Sequence, residues 1–99
     1  MTTILWHGKQ LAIKPLWYAN PRNICIHLLL GFEPYAVATV NTKQLLPSGC
    51  VLIKNWSENQ ALDRALLEDG LIKPLDPPIW IPCGFCDAQV YQWLGEMPI

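Results

Sequence analysis

Long apolar runs and glycine-rich loops are both missing from this sequence. No segment approaches the roughly 18 consecutive apolar residues of a membrane span, and the apolar run Ile24–Leu30 is short and interrupted by His27. The basic and then apolar segments of an export signal are not visible either. The six glycines are scattered singly, which argues against a phosphate-binding loop. We therefore expect a cytosolic protein that does not contact membranes.

Metal-binding patterns are also scarce. Cys83-Gly84-Phe85-Cys86 is a C-x-x-C motif, but the sequence has neither a second C-x-x-C nor an H-x₃₋₅-H. Redox chemistry would favour a helix start after the first cysteine, whereas Pro82 precedes it and a strand-like segment follows. We expect reduced thiols, no cofactor and no metal. A small cysteine-based metal-binding or regulatory module, with Cys83 and Cys86 as ligands, is the alternative. Further ligands could come only through the fold, from Cys25, Cys50, His7 and His27.

One Cys/His pair could carry nucleophilic chemistry. Cys25 and His27 alternate along a predicted strand and therefore share one of its faces. No residue nearby in the sequence would orient the imidazole, as an activated thiol requires. We predict that the protein is not an enzyme, and a Cys25–His27 enzyme is the least favoured alternative.

The composition predicts a folded chain. Hydrophobic residues make up 52% of the sequence, and five of its 99 residues are tryptophan, which argues against disorder. This length suits a single compact domain, residues 1–99. Most of the tryptophans should lie in the core, with one or two exposed as interface anchors. Trp56, next to a predicted helix start, should pack as a hydrophobic staple.

Short β-rich segments separated by turns predict a twisted antiparallel sheet of about five to seven short strands. The clearest hairpin pairs Ile24–Leu30 with Tyr35–Asn41. Pro15 should restrict its strand to an edge or end its regular pairing. Pro74, Pro77 and Pro78 predict a stiff segment without regular structure. Segments 79–81 and 88–94 should form a last pair of strands.

One helix, residues 57–69, is predicted with both of its ends. Ser57 followed by Gln60 has the S-x-x-Q spacing of a capping box. Gly70 should end the helix in a left-handed conformation, with Leu71 packing on Leu66 in a Schellman motif. Apolar residues recur at helical spacing and should face the sheet. We therefore predict an α+β fold with one helix packed on one face of the sheet.

Charge is distributed unevenly along the chain. Residues 1–54 contain five basic residues and one acidic residue, whereas residues 55–99 contain two basic and seven acidic residues. Folding could intermix these charges into an ordinary surface. The alternative is an acidic face, centred on the helix, that binds a basic partner. The candidate contact residues are Glu58, Asp63, Glu68, Asp69, Asp76 and Asp87.

Three motifs carry a family resemblance. They are Tyr18-Ala19-Asn20-x-Arg22-Asn23-Ile24, the segment Glu33-Pro34-Tyr35-Ala36 leading to Thr39-Val40-Asn41, and Ile53-Lys54 followed by Glu58-Asn59. The chain resembles a family of short bacterial proteins of unknown function that are found on plasmids, prophages and other mobile elements. The resemblance runs from about residue 18 to residue 72, with a weaker similarity at 84–90. Gln60-Ala61 stands where the family has Glu-Gly, and Asp69-Gly70 where it has Ala-Gly.

The resemblance implies a role but no catalytic residues. Small proteins of mobile elements often bind and block a host machine, as anti-CRISPR proteins do. By this association we expect a non-enzymatic, phage-type inhibitor in the cytoplasm of the bacterial host. Its partner would be a host protein complex, such as a subunit of a type I CRISPR surveillance complex, and it would not bind nucleic acid directly.

Overall fold

The computed structural model describes residues 2–99 and has an α+β fold with two antiparallel sheets. The first sheet has the order β1-β2-β3-β4, and the second has the order β5-β7-β6. Within the described residues there are thus seven strands, as predicted, but they form two sheets instead of one. The strands are β1 (Thr3–Trp6), β2 (Lys9–Trp17), β3 (Ile24–Leu30), β4 (Glu33–Val37), β5 (Cys50–Ile53), β6 (Ile72–Cys83) and β7 (Cys86–Trp93).

The segment Ala38–Val40 joins the two sheets. Its first amide, that of Ala38, donates to the Ile26 carbonyl on β3 at 2.8 Å. Two residues later the Val40 amide donates to the Leu52 carbonyl on β5 at 2.9 Å. The predicted hairpin is therefore confirmed but shorter, because its second strand ends at Val37 and the chain then crosses to the other sheet.

The main core lies between the sheets. Alternate residues of β3, namely Ile24, Ile26 and Leu28, point inward and meet Val51 and Ile53 of β5. One helix, α1 (Leu62–Glu68), buries Leu62 and Leu66 in the same core. It contacts β1 and β6. No helix within residues 2–99 has the length and apolarity that crossing a membrane would require.

A smaller core covers the other face of the second sheet. There Leu52 and Val90 pack with Leu46, and Trp56 packs against this group. The loop that carries Leu46 is held by buried Asn23, whose Oδ1 accepts from the Leu46 amide at 2.8 Å and whose Nδ2 donates to the Gln44 carbonyl at 3.1 Å. Trp56 therefore has a structural role, although it packs on the loop and not on the helix.

Pro15 lies in a part of β2 that is paired with β3 but not with β1. It is paired with Ile26 on β3, so β2 itself is an interior strand. The Ile13 amide donates to the Thr2 carbonyl, on the β1 side. Amides two residues apart face the same way, so the ring nitrogen of Pro15 points past the start of β1. The prediction is thus confirmed only on the β1 side, where pairing ends at Ala12; β2 is not an edge strand, and its pairing with β3 continues to Trp17.

The prediction of an irregular segment at Pro74, Pro77 and Pro78 was wrong. These prolines lie within β6, which is an edge strand of the second sheet. The register with β7 shifts between Pro74 and Ile79, so the proline-rich stretch bulges away from the ladder. Edge position and a bulge are the two settings that tolerate proline in a strand. The predicted pairing of 79–81 with 88–94 is confirmed.

The start of the predicted helix is broken. Ser57–Asn59 forms a short 3₁₀ helix, and α1 begins only at Leu62. Ser57 has φ 59° and makes no capping hydrogen bond, so the predicted capping box does not form. The cause is the buried side chain of Asn59, whose Nδ2 donates to the Val37 carbonyl at 2.6 Å. Anchoring Asn59 to β4 fixes the chain in a path that a continuous helix cannot follow.

The end of the helix is as predicted. Gly70 has φ 70°, the left-handed conformation that glycine adopts without a side-chain clash. The Leu71 amide donates to the Leu66 carbonyl at 3.0 Å, and the Gly70 amide donates to the Leu67 carbonyl at 3.1 Å. These are the two hydrogen bonds of the Schellman motif, and Leu71 joins Leu66 in the core.

Two left-handed residues give a paired stability test. Ala61, exposed at the start of α1, has φ 65°, which strains an alanine by about 1 kcal/mol. Ala61→Gly should therefore raise the free energy of unfolding by about 1 kcal/mol, and Gly70→Ala should lower it by a similar amount. Urea unfolding of the two variants measures both. A destabilised Ala61→Gly protein would contradict the strained start of α1.

Candidate protein-binding surface

Glu58 lies in the 3₁₀ helix, and its side chain is exposed to solvent. Its carboxylate forms an ion pair with Lys54. The hydrogen bond from Lys54 lowers the pKa of Glu58 to about 2. Because this charge is already neutralised by a neighbour, Glu58 contributes less to a field felt by a partner than an unpaired carboxylate does.

Asp63 is the half-buried member of the predicted contact set. It lies in the first turn of α1, where its Oδ2 accepts from Asn55 Nδ2 at 3.2 Å. It also neighbours the Tyr91 hydroxyl, which donates to Gln89 Oε1 at 3.0 Å. Burial, followed by the nearby Asp63 charge, raises the pKa of Tyr91.

The remaining predicted contact residues are all exposed, in separate places. Glu68 and Asp69 end α1, Asp76 lies in the bulged part of β6, and Asp87 follows the β6–β7 turn. Within residues 2–99 the Lys54–Glu58 contact is the sole ion pair, so these four carboxylates have no charged partner. The six residues thus lie on the 3₁₀ helix, α1, β6 and β7, and they do not form one cluster.

The charge asymmetry of the sequence persists in the fold. Residues 1–54 build the β1–β4 sheet and β5, whereas the acidic residues 55–99 build α1, β6 and β7. Lys9 and Lys14 are exposed on the first sheet, whereas the exposed carboxylates Asp76 and Asp87 belong to the second. The separation is partial, because Glu33 is exposed on the first sheet, and Arg64 on α1 and Lys73 on β6 are also exposed.

Trp80 is the exposed tryptophan of the set. Trp6 and Trp93 are buried and Trp17 and Trp56 are partly buried, whereas 54% of Trp80 is exposed. The expectation of one or two exposed tryptophans is confirmed. The sequence did not identify which one, although its place in a proline-rich stretch was a usable signal, because such a stretch favours a sheet edge.

Cys83 and Cys86 face each other across the β6–β7 turn, as register partners. Both are free thiols, and burial, followed by the Asp87 and Cys86 charges, raises the pKa of Cys83. A raised pKa keeps a thiol protonated and less reactive. Cys50 lies in the smaller core, against which Cys83 also packs, and Cys25 lies on the first sheet. Residues 2–99 contain no group of three or more His, Cys, Asp or Glu side chains placed to hold a metal ion.

Cys25 and His27 lie on the same face of β3, opposite Leu16 and Lys14 of β2. Cys25 is buried, whereas His27 is half-buried. The thiol neighbours the Tyr18 hydroxyl and contributes to raising its pKa. No hydrogen bond joins Cys25 to His27 within the described residues, and this geometry does not assemble an activated nucleophile.

Three surface grooves lie away from the six predicted contact residues, although Glu96 lines one of them. One of about 730 Å³ is lined by Asn41, Trp56 and Cys83, among others. A second, of about 900 Å³, runs between β2 and the C-terminal segment, and a third, of about 420 Å³, lies beside the 45–50 loop. None of the six predicted contact residues lines these grooves, so partner binding through carboxylates would use an open surface.

Comparison of the chain with models of protein families, with curated proteins and with solved structures gives no match.

The motif residue Tyr18 contributes to the junction between the sheets. Its hydroxyl is 3.1 Å from Thr39 Oγ1 and 3.3 Å from the Thr39 carbonyl, and Thr39 Oγ1 accepts from the Ile26 amide at 3.1 Å. Mainly through burial, the pKa of Tyr18 is raised from 10.0 to about 12. A raised phenol pKa gives stability that is complete below pH 10 and is lost as the pH rises towards 12.

Tyr18→Phe should therefore weaken the dependence of stability on alkaline pH. Two pKa units correspond to about 2.7 kcal/mol, and solvent screening of the partly exposed ring reduces this to about 1 kcal/mol. We expect the native protein to lose about that much more stability than the variant between pH 9 and pH 12 in urea unfolding. Equal losses would show that Tyr18 does not titrate as a buried phenol.

Proposed function

We propose that this protein is a non-enzymatic inhibitor that acts by binding a host protein complex through its acidic surface. The observation that carries the proposal is the set of exposed carboxylates without charged partners on α1, β6 and β7. Unpaired charges of one sign cost stability through mutual repulsion, and they speed association with a surface of the opposite sign.

The class of partner follows from this charge. Protein complexes that hold nucleic acid do so with channels rich in lysine and arginine, because these side chains neutralise phosphates. Carboxylates on a rigid surface can occupy such a channel in place of phosphates. The same carboxylates repel nucleic acid, so we expect no direct binding to DNA or RNA.

The family resemblance narrows the partner further. Mobile-element proteins of this size include anti-CRISPR proteins, so we propose a type I CRISPR surveillance complex in the bacterial cytoplasm as the target. Most of the residues that carry the resemblance make contacts within the fold, as Tyr18, Asn23, Thr39 and Asn59 do. Support for this partner therefore comes from the association with mobile-element proteins and from the exposed carboxylates, and not from the residues that carry the resemblance.

A phage-sensitivity assay tests the proposal. In bacteria with an active type I CRISPR system that targets a phage, expression of the protein should restore plaquing by several orders of magnitude. A matched strain without the targeting spacer controls for effects on phage growth. Plaquing that stays suppressed in several type I systems, at verified expression, would contradict the proposed function.

Metal analysis of the purified protein separates the proposal from the cysteine-based alternative. A structural metal would be present near one ion per chain, and a chelator would unfold the domain. On the present proposal, metal content is far below one and chelation leaves the unfolding curve unchanged.

A further inference from the structure

Trp80 lies beside a carboxylate at an uncovered end of the sheet face whose other end, at Tyr91 and Trp93, is buried in the main core. The register of β6 and β7 places Trp80 opposite Gln89 and Pro82 opposite Asp87. Asp87 is therefore the diagonal neighbour of Trp80 on the same face, at roughly 7–8 Å between the backbones. A ligand group lying on the indole can reach this carboxylate.

A second carboxylate approaches from the helix side. Gln89 accepts a hydrogen bond from the Tyr91 hydroxyl, and Asp63 on α1 neighbours that hydroxyl. Trp80, Gln89 and Asp87 share one end of this face and are called the Trp80 strip, and the buried Tyr91 links Gln89 to Asp63. The strip has one exposed aromatic ring, that of Trp80, and one exposed carboxylate, that of Asp87.

The composition of the Trp80 strip fits a particular side chain. Tryptophan gives the strongest cation–π contact of the aromatic residues, and arginine is the cation that most often occupies it. A guanidinium group can stack on the indole and still donate hydrogen bonds in its plane to a carboxylate. Asp87 is exposed and forms no ion pair within residues 2–99, so it can accept such bonds.

The free edge of β6, beside the Trp80 strip, is poorly suited to bind a partner by adding a β-strand to the sheet. The Trp93 amide donates towards β5, to the Gly49 carbonyl, so the even-numbered amides of β7 face β6. Trp80 and Pro82, opposite odd-numbered residues, therefore direct their backbone nitrogens to the free edge. Because Pro82 has no N–H and the Pro74–Ile79 stretch bulges, a partner strand could not extend the sheet here.

We propose that the Trp80 strip is the centre of the partner contact and that it receives an arginine side chain from the partner protein. The guanidinium stacks on Trp80, with Asp87 accepting its hydrogen bonds. Glu68, Asp69 and Asp76 then act at longer range, by attracting the basic surface. The inference rests on the proposed function for the identity of the partner, but not for the chemistry of the strip.

A peptide titration tests the strip without the surveillance complex. The probe is a capped Gly-Arg-Gly-Arg-Gly peptide, added to ¹⁵N-labelled protein and followed in the amide and indole N–H spectrum. We expect the largest shifts at the Trp80 indole and the amides of Gln89 and Asp87, with weaker binding of the matched lysine peptide. Saturable shifts centred on Glu68 and Asp69, equal binding of both peptides, or no shift at millimolar peptide would overturn the proposal.

Variants sharpen the same experiment. Trp80→Ala and Trp80→Leu should each weaken binding by roughly tenfold, and Asp87→Asn should weaken it by severalfold. Phe32→Ala, which removes an even more exposed ring from the turn after β3, is the control and should bind normally. Because Trp80 is half exposed, its variants should keep the native spectrum elsewhere. Unchanged binding by folded Trp80→Leu would also overturn the proposal.

The same variants link the strip to the proposed partner. If the protein inhibits a surveillance complex, Trp80→Ala should weaken binding to that complex more than the Glu68→Lys, Asp69→Lys double variant does. The reverse order would show that the contact centre lies at the helix end. A negative phage assay with a positive peptide titration would remove the proposed function and leave the arginine site intact.

Discussion

The crossing at Ala38–Val40 is the constraint on which the rest of the fold depends. In three residues the backbone passes from hydrogen bonds with β3 to hydrogen bonds with β5, and the Lys54 amide returns to the Ala38 carbonyl. Ala38 and Thr39 are buried at the junction, so the two sheets cannot separate without exposing paired backbone groups. The crossing sets how far apart the sheets lie and therefore which residues fill the core between them.

Polar side chains fix the crossing and its surroundings. Thr39 Oγ1 accepts from the Ile26 amide and is within hydrogen-bond distance of Tyr18, Asn23 holds the loop that follows, and Asn59 binds the carbonyl of Val37 just before the crossing. Each is a motif residue in the family resemblance. Loss of a buried hydrogen-bond partner costs about 1–3 kcal/mol, which explains why these polar residues recur around a mainly apolar core. These polar contacts therefore hold the chain together at the crossing.

The features that were predicted correctly depend on residues that are close together in the sequence. The Schellman ending at Gly70, the β3–β4 hairpin and the pairing of β6 with β7 depend on turns and on alternation within a few residues. The division into two sheets could not be predicted from neighbouring residues. It depends on the Ala38 amide bonding to β3, which precedes it in the sequence, and on the Val40 amide bonding to β5, which follows it. The capping box failed for the same reason: Asn59 is held by Val37, which lies 22 residues earlier. Similarly, the exposure of Trp80 depends on how far the first sheet extends over the second.

Native-state hydrogen exchange tests the role of the crossing most directly. The amides of Ala38, Val40 and Lys54 should exchange only through global unfolding, with the same opening free energy as core amides such as Leu28 and Val90. Urea should reduce that free energy equally at all five positions. If the crossing amides instead exchange through a smaller opening, while both sheets stay protected, the sheets do not depend on the crossing and the account is wrong.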